Sequence, residues 1–335
     1  MNPERRTDVR ILYGDSGQST RILYRQALMA NGYTSLREFD TLEGFASLLA
    51  VVQPDMVFMD IDMPGGDAIS LVRDLRHGKL GVNPYLPVIL TTWEPQHRVV
   101  KRVIDAGADD LLVKPLSTRI LLERIEALAW NRKPFVVTSD YIGPDRRKAD
   151  ARRDSTVPLI EVPNPLRARL QGEANDTRVM KKAILEANAK VNEQRLRAGA
   201  FRIAFVAQQI VPLYKTQTQP DETTLGMLRD LIASTEDIQR RVIGTQYAHV
   251  AQICERLLVT ARHILEQGKD IAFDPSWTKS FDLLKTLGEA VLVFFNPERD
   301  ALELAREVAE AVDRYRARKA AQAAGRLPEP TDVPA

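Results

Sequence analysis

Two aspartates, a threonine and a lysine stand where short apolar runs of this chain end. Asp15 follows the run 9–13 and Gly14, and Asp60 closes Met56-Val57-Phe58-Met59. Thr92 ends Val88-Ile89-Leu90-Thr91, and Lys114 follows Leu111-Leu112-Val113. If these runs lie side by side as parallel strands, the four polar side chains converge on one crevice. Open α/β sheets bind ligands outside the carboxyl ends of their strands. Two neighbouring carboxylates suit a hard divalent cation, with Mg²⁺ the usual candidate for oxygen ligands. A lysine and a threonine opposite them suit a small oxyanion. The combination describes a site for a metal and a phosphoryl group, with Asp60 as nucleophile and Lys114 and the metal offsetting charge on the transferred oxygens. The absence of a glycine-rich phosphate loop argues against a nucleotide site.

The elements that must position these residues alternate. Apolar runs at 9–13, 34–39, 56–59, 88–90 and 111–113 are separated by helical spacing at 19–30, 42–52, 69–75, 99–106 and 116–130. Five β–α units in about 125 residues predict a parallel sheet covered on both faces. Asp67 precedes Ala68-Ile69 and is expected to cap a helix.

Several ordered motifs resemble the receiver domain of response regulators, the flavodoxin-like module of two-component signalling. They are Met59-Asp60-Ile61-Asp62-Met63-Pro64-Gly65, Pro87-Val88-Ile89-Leu90-Thr91-Thr92 and Ala106-Gly107-Ala108-Asp109-Asp110-Leu111-Leu112-Val113-Lys114-Pro115. The resemblance covers residues 8–130. It implies a doubly wound five-stranded parallel sheet and phosphorylation of Asp60 by a histidine kinase or phosphotransfer protein. It also implies Mg²⁺ held by Asp15, Asp60 and the backbone carbonyl of Asp62, and a Lys114–Pro115 bond that is typically cis. Three positions depart from the pattern. Ser16 stands where a second metal-binding acid is usual, which should weaken Mg²⁺ binding. Trp93 follows Thr92 where a small residue is preferred, so its ring would narrow access to Asp60. Leu111 replaces an aromatic residue that ordinarily moves with the threonine, and it lacks a polar handle.

The remainder divides by composition. Residues 131–175 hold 9 basic and 6 acidic residues, against 15 and 17 in residues 1–130 and 23 and 22 in residues 176–335. This middle segment contains Pro134, Pro144, Pro158, Pro163 and Pro165 and is read as a basic, Pro-rich linker. Within it Gly143-Pro144-Asp145-Arg146-Arg147 stands out, followed by Lys148 and Arg152-Arg153. Either the arginines latch onto acids of the receiver or a partner, or the stretch is solvated tether; the composition favours the tether. Residues 176–320 carry helical periodicity, clearest in Val250, Ile253, Cys254, Leu257, Leu258, Ala261, Ile264 and Leu265. Three or four helices in a bundle are expected, with 221–267 either continuous or broken near Gly244, and a loose tail at 321–335. Trp277, Phe281, Phe294 and Phe295 belong to its core.

The whole chain has 335 residues and a formal charge of +2, which argues against a protein built mainly to bind nucleic acid or an anionic membrane. One cysteine, Cys254, excludes an internal disulfide framework and a cysteine-only zinc site. The longest apolar runs, such as 290–295, fall far short of the roughly 18–20 residues a bilayer requires. The charged N-terminus does not resemble a signal peptide. The expectation is a cytoplasmic, non-enzymatic response regulator whose helical half binds protein, either a target or a second copy of the chain. Three alternatives stand beside it. One is a pseudo-receiver scaffold not switched by phosphorylation, motivated by Ser16, Trp93 and Leu111. Another is a phosphorelay intermediate using His249, placed mid-helix by the spacing. The third is a DNA-binding regulator, which would lack a helix-turn-helix pattern after the basic segment.

Overall fold

The computed structural model describes residues 3–80, 83–147, 157–173, 177–216, 221–267 and 278–323. Two compact units divide the chain, 1–191 and 192–335. The first begins with a 3-10 turn, Pro3–Asp8, and then builds the expected sheet from β1 (Ile11–Gly14), β2 (Leu36–Phe39), β3 (Met56–Asp60), β4 (Val88–Thr92) and β5 (Asp110–Val113). All pairings are parallel and the order is β2-β1-β3-β4-β5. Helices α1 (Gln18–Met29), α2 (Leu42–Val52), α3 (Ala68–Arg76), α4 (His97–Asp105) and α5 (Thr118–Trp130) connect the strands.

The strands are apolar on both faces because both faces are covered. Alternate residues go to opposite sides. Leu12, Val57, Met59, Val88 and Leu90 pack with α2, α3 and α4. Ile11, Tyr13, Met56, Phe58, Ile89 and Leu112 pack with α1 and α5. Burial of each large side chain contributes about 1.5–3 kcal/mol. Asp67 caps α3 as expected, accepting from the Ile69 amide at 3.1 Å and the Ser70 hydroxyl at 2.7 Å.

The described parts of the segment read as a linker, 131–147 and 157–173, are instead folded. Strands β6 (Phe135–Val137) and β7 (Ile142–Pro144) pair antiparallel, Phe135 bridges to Ile160, and α6 (Pro165–Gln171) follows. Proline was taken as a breaker, yet Pro165 stands in the first turn of α6, where its missing N–H costs nothing. Pro144 ends a strand of a two-stranded ribbon, where no central ladder is interrupted. Phe135, Val137, Ile142 and Ile160 form a small core with Tyr85, Ala187 and Val191. The last two lie on α7 (Thr177–Thr216), so the unit boundary falls inside that helix rather than at 175. Lys148, Arg152 and Arg153 lie outside the described residues.

The second unit is helical. The rest of α7 shares one core with α8 (Glu222–Val242), α9 (Val250–Gln267), α10 (Thr278–Phe294) and α11 (Ala301–Ala323). Among the described residues five helices thus supply this core, more than the three or four expected. The spacing at 250–265 holds: Val250, Cys254, Leu257, Ala261 and Ile264 are buried in it. The chain breaks between α8 and α9 at Gly244, whose φ of +75° favours glycine. Phe281 and Phe295 are core residues and Phe294 packs against them. Trp277 and residues 324–335 lie outside the described residues, and α11 runs three residues into the stretch expected as tail. No described helix is long and apolar enough to cross a membrane.

Candidate functional site

Asp60 and Thr92 are the last residues of β3 and β4, while Asp15 and Lys114 directly follow β1 and β5. The register pairs Asp60 with Thr91 and Thr92 with Val113, which brings all four side chains to the carboxyl end of the sheet. All four are buried. The Lys114 ammonium lies between the two acids, 2.5 Å from Asp15 Oδ2 and in contact with Asp60 Oδ2. The other carboxylate oxygens accept backbone donors: the Gly17 amide to Asp15 Oδ1 at 2.8 Å, and the Asp62 amide to Asp60 Oδ1 at 3.2 Å. Two carboxylates against one ammonium leave a net negative charge in a water-poor pocket. The Lys114–Pro115 bond is cis.

The other expected residues are placed differently. The Thr92 hydroxyl accepts from the Glu94 amide at 3.1 Å, so it is turned into the loop after β4 rather than onto Asp60. Ser16 is exposed, and its carbonyl accepts from Arg21 at 3.2 Å. Asp62 is exposed and meets Asp60 through its N–H. The Trp93 ring is 58% exposed yet lies over the lysine, with its centroid 5.6 Å from Nζ. Leu111 is half-buried against the cluster that includes α4.

Three contributors escaped the sequence reading. Gly17 lets the chain close over Asp15: a Cβ there would stand 3.2 Å from Asp15 Oδ1. Arg21 fixes the same turn by donating to the Asp15 carbonyl at 2.7 Å. Tyr24, on α1, is held protonated through the neutral range, first by burial and then by the charges of Asp15 and Asp60. A helical tyrosine facing a strand end carries no sequence signal of its own.

His249 does not lie within a helix as expected. It stands in the turn before α9, because the break at Gly244 ends the periodicity early. It is exposed and meets the edge of Phe294, with ring centroids 4.6 Å apart. No group of three or more His, Cys, Asp or Glu that could hold a metal occurs among the described residues. The hard-oxygen set at the sheet end is therefore two carboxylates, Asp15 and Asp60. That donor set fits a Mg²⁺ that keeps much of its water, but with one acid fewer than Ser16's position would have supplied.

Part of the chain matches known proteins in sequence. Residues 11–126 match the family model "Response regulator receiver domain". Response regulator MprA of Mycobacterium tuberculosis (strain ATCC 25177 / H37Ra) is 36% identical over 128 residues, which are 38% of this chain and 53% of that protein. The MprA of Mycobacterium avium (strain 104) is 34% identical over 128 residues with the same coverage. The chain thus spans about half the length of the curated relatives it matches. Among solved structures, chemotaxis response regulator CheY4 of Vibrio cholerae is 20% identical, covering 35% of this chain and 96% of that one, with a TM-score of 0.33. The signal receiver domain of a signal transduction histidine kinase from Syntrophus aciditrophicus is 26% identical, covering 35% and 87%, with a TM-score of 0.32. No family model matches the C-terminal half. Sheet order, site geometry and family match converge on one conclusion: residues 11–126 of this chain are a response regulator receiver domain.

Proposed function

We propose that Asp60 accepts a phosphoryl group from the phosphohistidine of a kinase or phosphotransfer protein, and that the helical unit acts by binding protein. The observation that carries the first part is the buried Lys114 ammonium bridging Asp15 and Asp60 at the carboxyl end of the sheet. An Asp60 oxygen attacks phosphorus, the phosphorus–nitrogen bond of the phosphohistidine breaks, and the imidazole leaves with the electron pair. The carboxylate charge of Asp60 is lost in the new oxygen–phosphorus bond, and the Lys114 ammonium is placed to offset the negative charge that the phosphoryl oxygens bring. Asp15, Asp60 and the backbone carbonyl of Asp62 would hold Mg²⁺, which when bound adds positive charge opposite the same oxygens. Thr92 would have to leave Glu94 to join them.

The near-balanced charge of residues 176–335 favours a protein partner, or a second copy of the chain, over DNA. The cytoplasm, where kinases of this class present phosphohistidine, is the compartment this reading requires. The test is an intact-mass measurement of the full chain with acetyl phosphate and Mg²⁺. A single phosphoryl adduct, lost in Asp60→Asn, is expected; no adduct on the wild type removes the reading.

A second reading, a pseudo-receiver scaffold, is favoured by exposed Ser16 and by Trp93 over Lys114. It requires no adduct on the wild type and an Asp60→Asn chain that still engages its partner. Adduct formation recovered by Ser16→Asp would trace the defect to the missing acid. Salt-sensitive binding to duplex DNA by the full chain would turn the output reading from protein to nucleic acid.

A further inference from the structure

Opposite the Asp60 site, at the amino end of the same sheet, residues 131–147 and 157–172 are spread across the strand entrances. Arg132 donates to Asp109 Oδ1 at 2.7 Å, where the chain enters β5, and to the Tyr85 carbonyl at 2.6 Å. Asn164 donates to the Leu128 carbonyl at 2.7 Å, closing the end of α5. Leu166 and Leu170 of α6 are buried against α1 and α5. Arg169 then reaches Asp55 at 3.1 Å, just before β3, and Arg5 donates to the Gln171 carbonyl.

At the Gly-Pro-Asp-Arg-Arg element backbone meets backbone. Gly143 lies against Gly107: a Cβ on Gly143 would stand 2.7 Å from the Gly107 Cα, and one on Gly107 would stand 2.3 Å from the Ile142 carbonyl oxygen. Gly107 also has φ +80°, which disfavours any other residue. The Pro144 carbonyl accepts from the Tyr141 hydroxyl at 2.8 Å. The Asp145 amide donates to the Pro134 carbonyl at 2.8 Å, while its carboxylate holds the Arg147 side chain at 2.9 Å. Arg146 donates to the carbonyls of Ala108 at 2.8 Å and Asp109 at 2.5 Å. Gly143 and Arg146 thus hold the turn onto the backbone that leads into β5, while Pro144, Asp145 and Arg147 brace the turn itself.

We infer that residues 131–147 and 157–172 form a strap integral to the receiver, with Gly143-Pro144-Asp145-Arg146-Arg147 as its buckle, and not a tether leading away from it. The strap occupies the amino end of the sheet, leaving the carboxyl end for signalling contacts. It also anchors Asp109, and so the register of the strand that delivers Lys114. The inference stands whether or not Asp60 is phosphorylated.

Hydrogen exchange on the full chain tests it. The amides of Phe135, Asp145 and Ile160, bonded within the strap, should share the protection and urea dependence of the Val57 amide of β3. Arg146→Ala should lower protection about tenfold or more in the strap and at Asp109 together, since it removes charge-assisted bonds to two carbonyls. Gly143→Val should do more, and Arg146→Ala keeps the test open if that variant does not fold. Strap amides that exchange far faster than Val57 in the wild type would overturn the inference. So would an Arg146→Ala effect confined to the strap.

Discussion

The two ends of the receiver sheet each bury aspartate with cations, and they are built to opposite purposes. At the amino end one carboxylate, Asp109, faces two guanidiniums, Arg76 and Arg132. At the carboxyl end two carboxylates face one ammonium. The amino-end cluster is saturated. Asp109 takes bonds from Arg76 at 2.8 Å, Arg132 at 2.7 and 3.1 Å, and the Val88 amide at 2.8 Å. Arg76 also donates to the carbonyls of Gly107 at 2.8 Å, Pro84 at 2.6 Å and Leu86 at 2.8 Å. Burial still pushes the pKa of the Arg76 guanidinium down to about 10. Both guanidiniums also lie near the Phe135 ring of the strap, at 5.3 and 5.1 Å from its centroid. At the other end Asp15 and Asp60 each accept one backbone amide and share Lys114, so carboxylate lone pairs remain. Saturation makes a structural cluster, whereas the carboxyl end keeps carboxylate acceptor capacity that its own cation does not use.

The largest effect should come from breaking the saturated end. Asp109→Asn strands two buried guanidiniums, and removing one partner of a buried ionic network costs about 3–5 kcal/mol. Asp60→Asn removes one of two crowded carboxylates while Lys114 keeps Asp15, so its cost should stay within about 1 kcal/mol. Because the chain has two units, the comparison is best made by exchange at the amides of Phe58 and Ile89, which report the receiver sheet alone. Equal losses in the two variants would erase the distinction between the ends.

The same contrast has a pH signature of middle size. Burial alone would raise the Asp109 carboxyl, but Arg132 and Arg76 outweigh it and hold it below the ordinary range. An unfolded aspartate takes up its proton near about pH 3.9. Between that value and the lower folded one, the unfolded chain binds more protons, so stability rises with pH. The contribution of Asp109 is therefore complete above about pH 4 and is lost as the pH falls through the folded value. Receiver opening measured against pH should show this acid limb in the wild type and a shallower one in Asp109→Asn. An unchanged limb in the variant would place acid sensitivity elsewhere.

What the sequence disclosed follows from where the information is local. Strands such as 56–60 carry their burial in consecutive apolar residues, and their ends mark Asp60, Thr92 and Lys114 with no reference to anything distant. The strap carries no such mark. Phe135-Val136-Val137 is only three residues, and its burial depends on Tyr85, Ile160 and Val191, far off in sequence. Proline count and positive charge then pointed to a tether, although Arg132 and Arg146 are consumed by Asp109 and by backbone carbonyls. The direction of the Thr92 hydroxyl was invisible for a related reason: residue type fixes what a side chain can bond, while the loop after β4 decides what it does bond. His249 shows the limit of periodicity, since the turn at Gly244 displaced it from the helix that spacing had drawn through it.

The smallest expected effect sharpens the reactive end. The Lys114 ammonium has a carboxylate oxygen from each aspartate, and the Trp93 ring covers a further side. A cation–π contact at so exposed a ring is worth about 0.5–1 kcal/mol, so Trp93→Ala should leave receiver stability nearly unchanged. Its consequence lies in access. With the ring gone, a small anionic donor can approach Lys114 and Asp60 from the β4 side without displacing it. On the reading that Asp60 is the acceptor, the rate of adduct formation with acetyl phosphate should rise by about two- to fivefold, the factor equivalent to that contact energy. Time-resolved intact mass of Trp93→Ala against wild type measures it. Equal rates would mean that the ring moves aside freely, and that the surplus of carboxylate over cation alone sets the reactivity of this end.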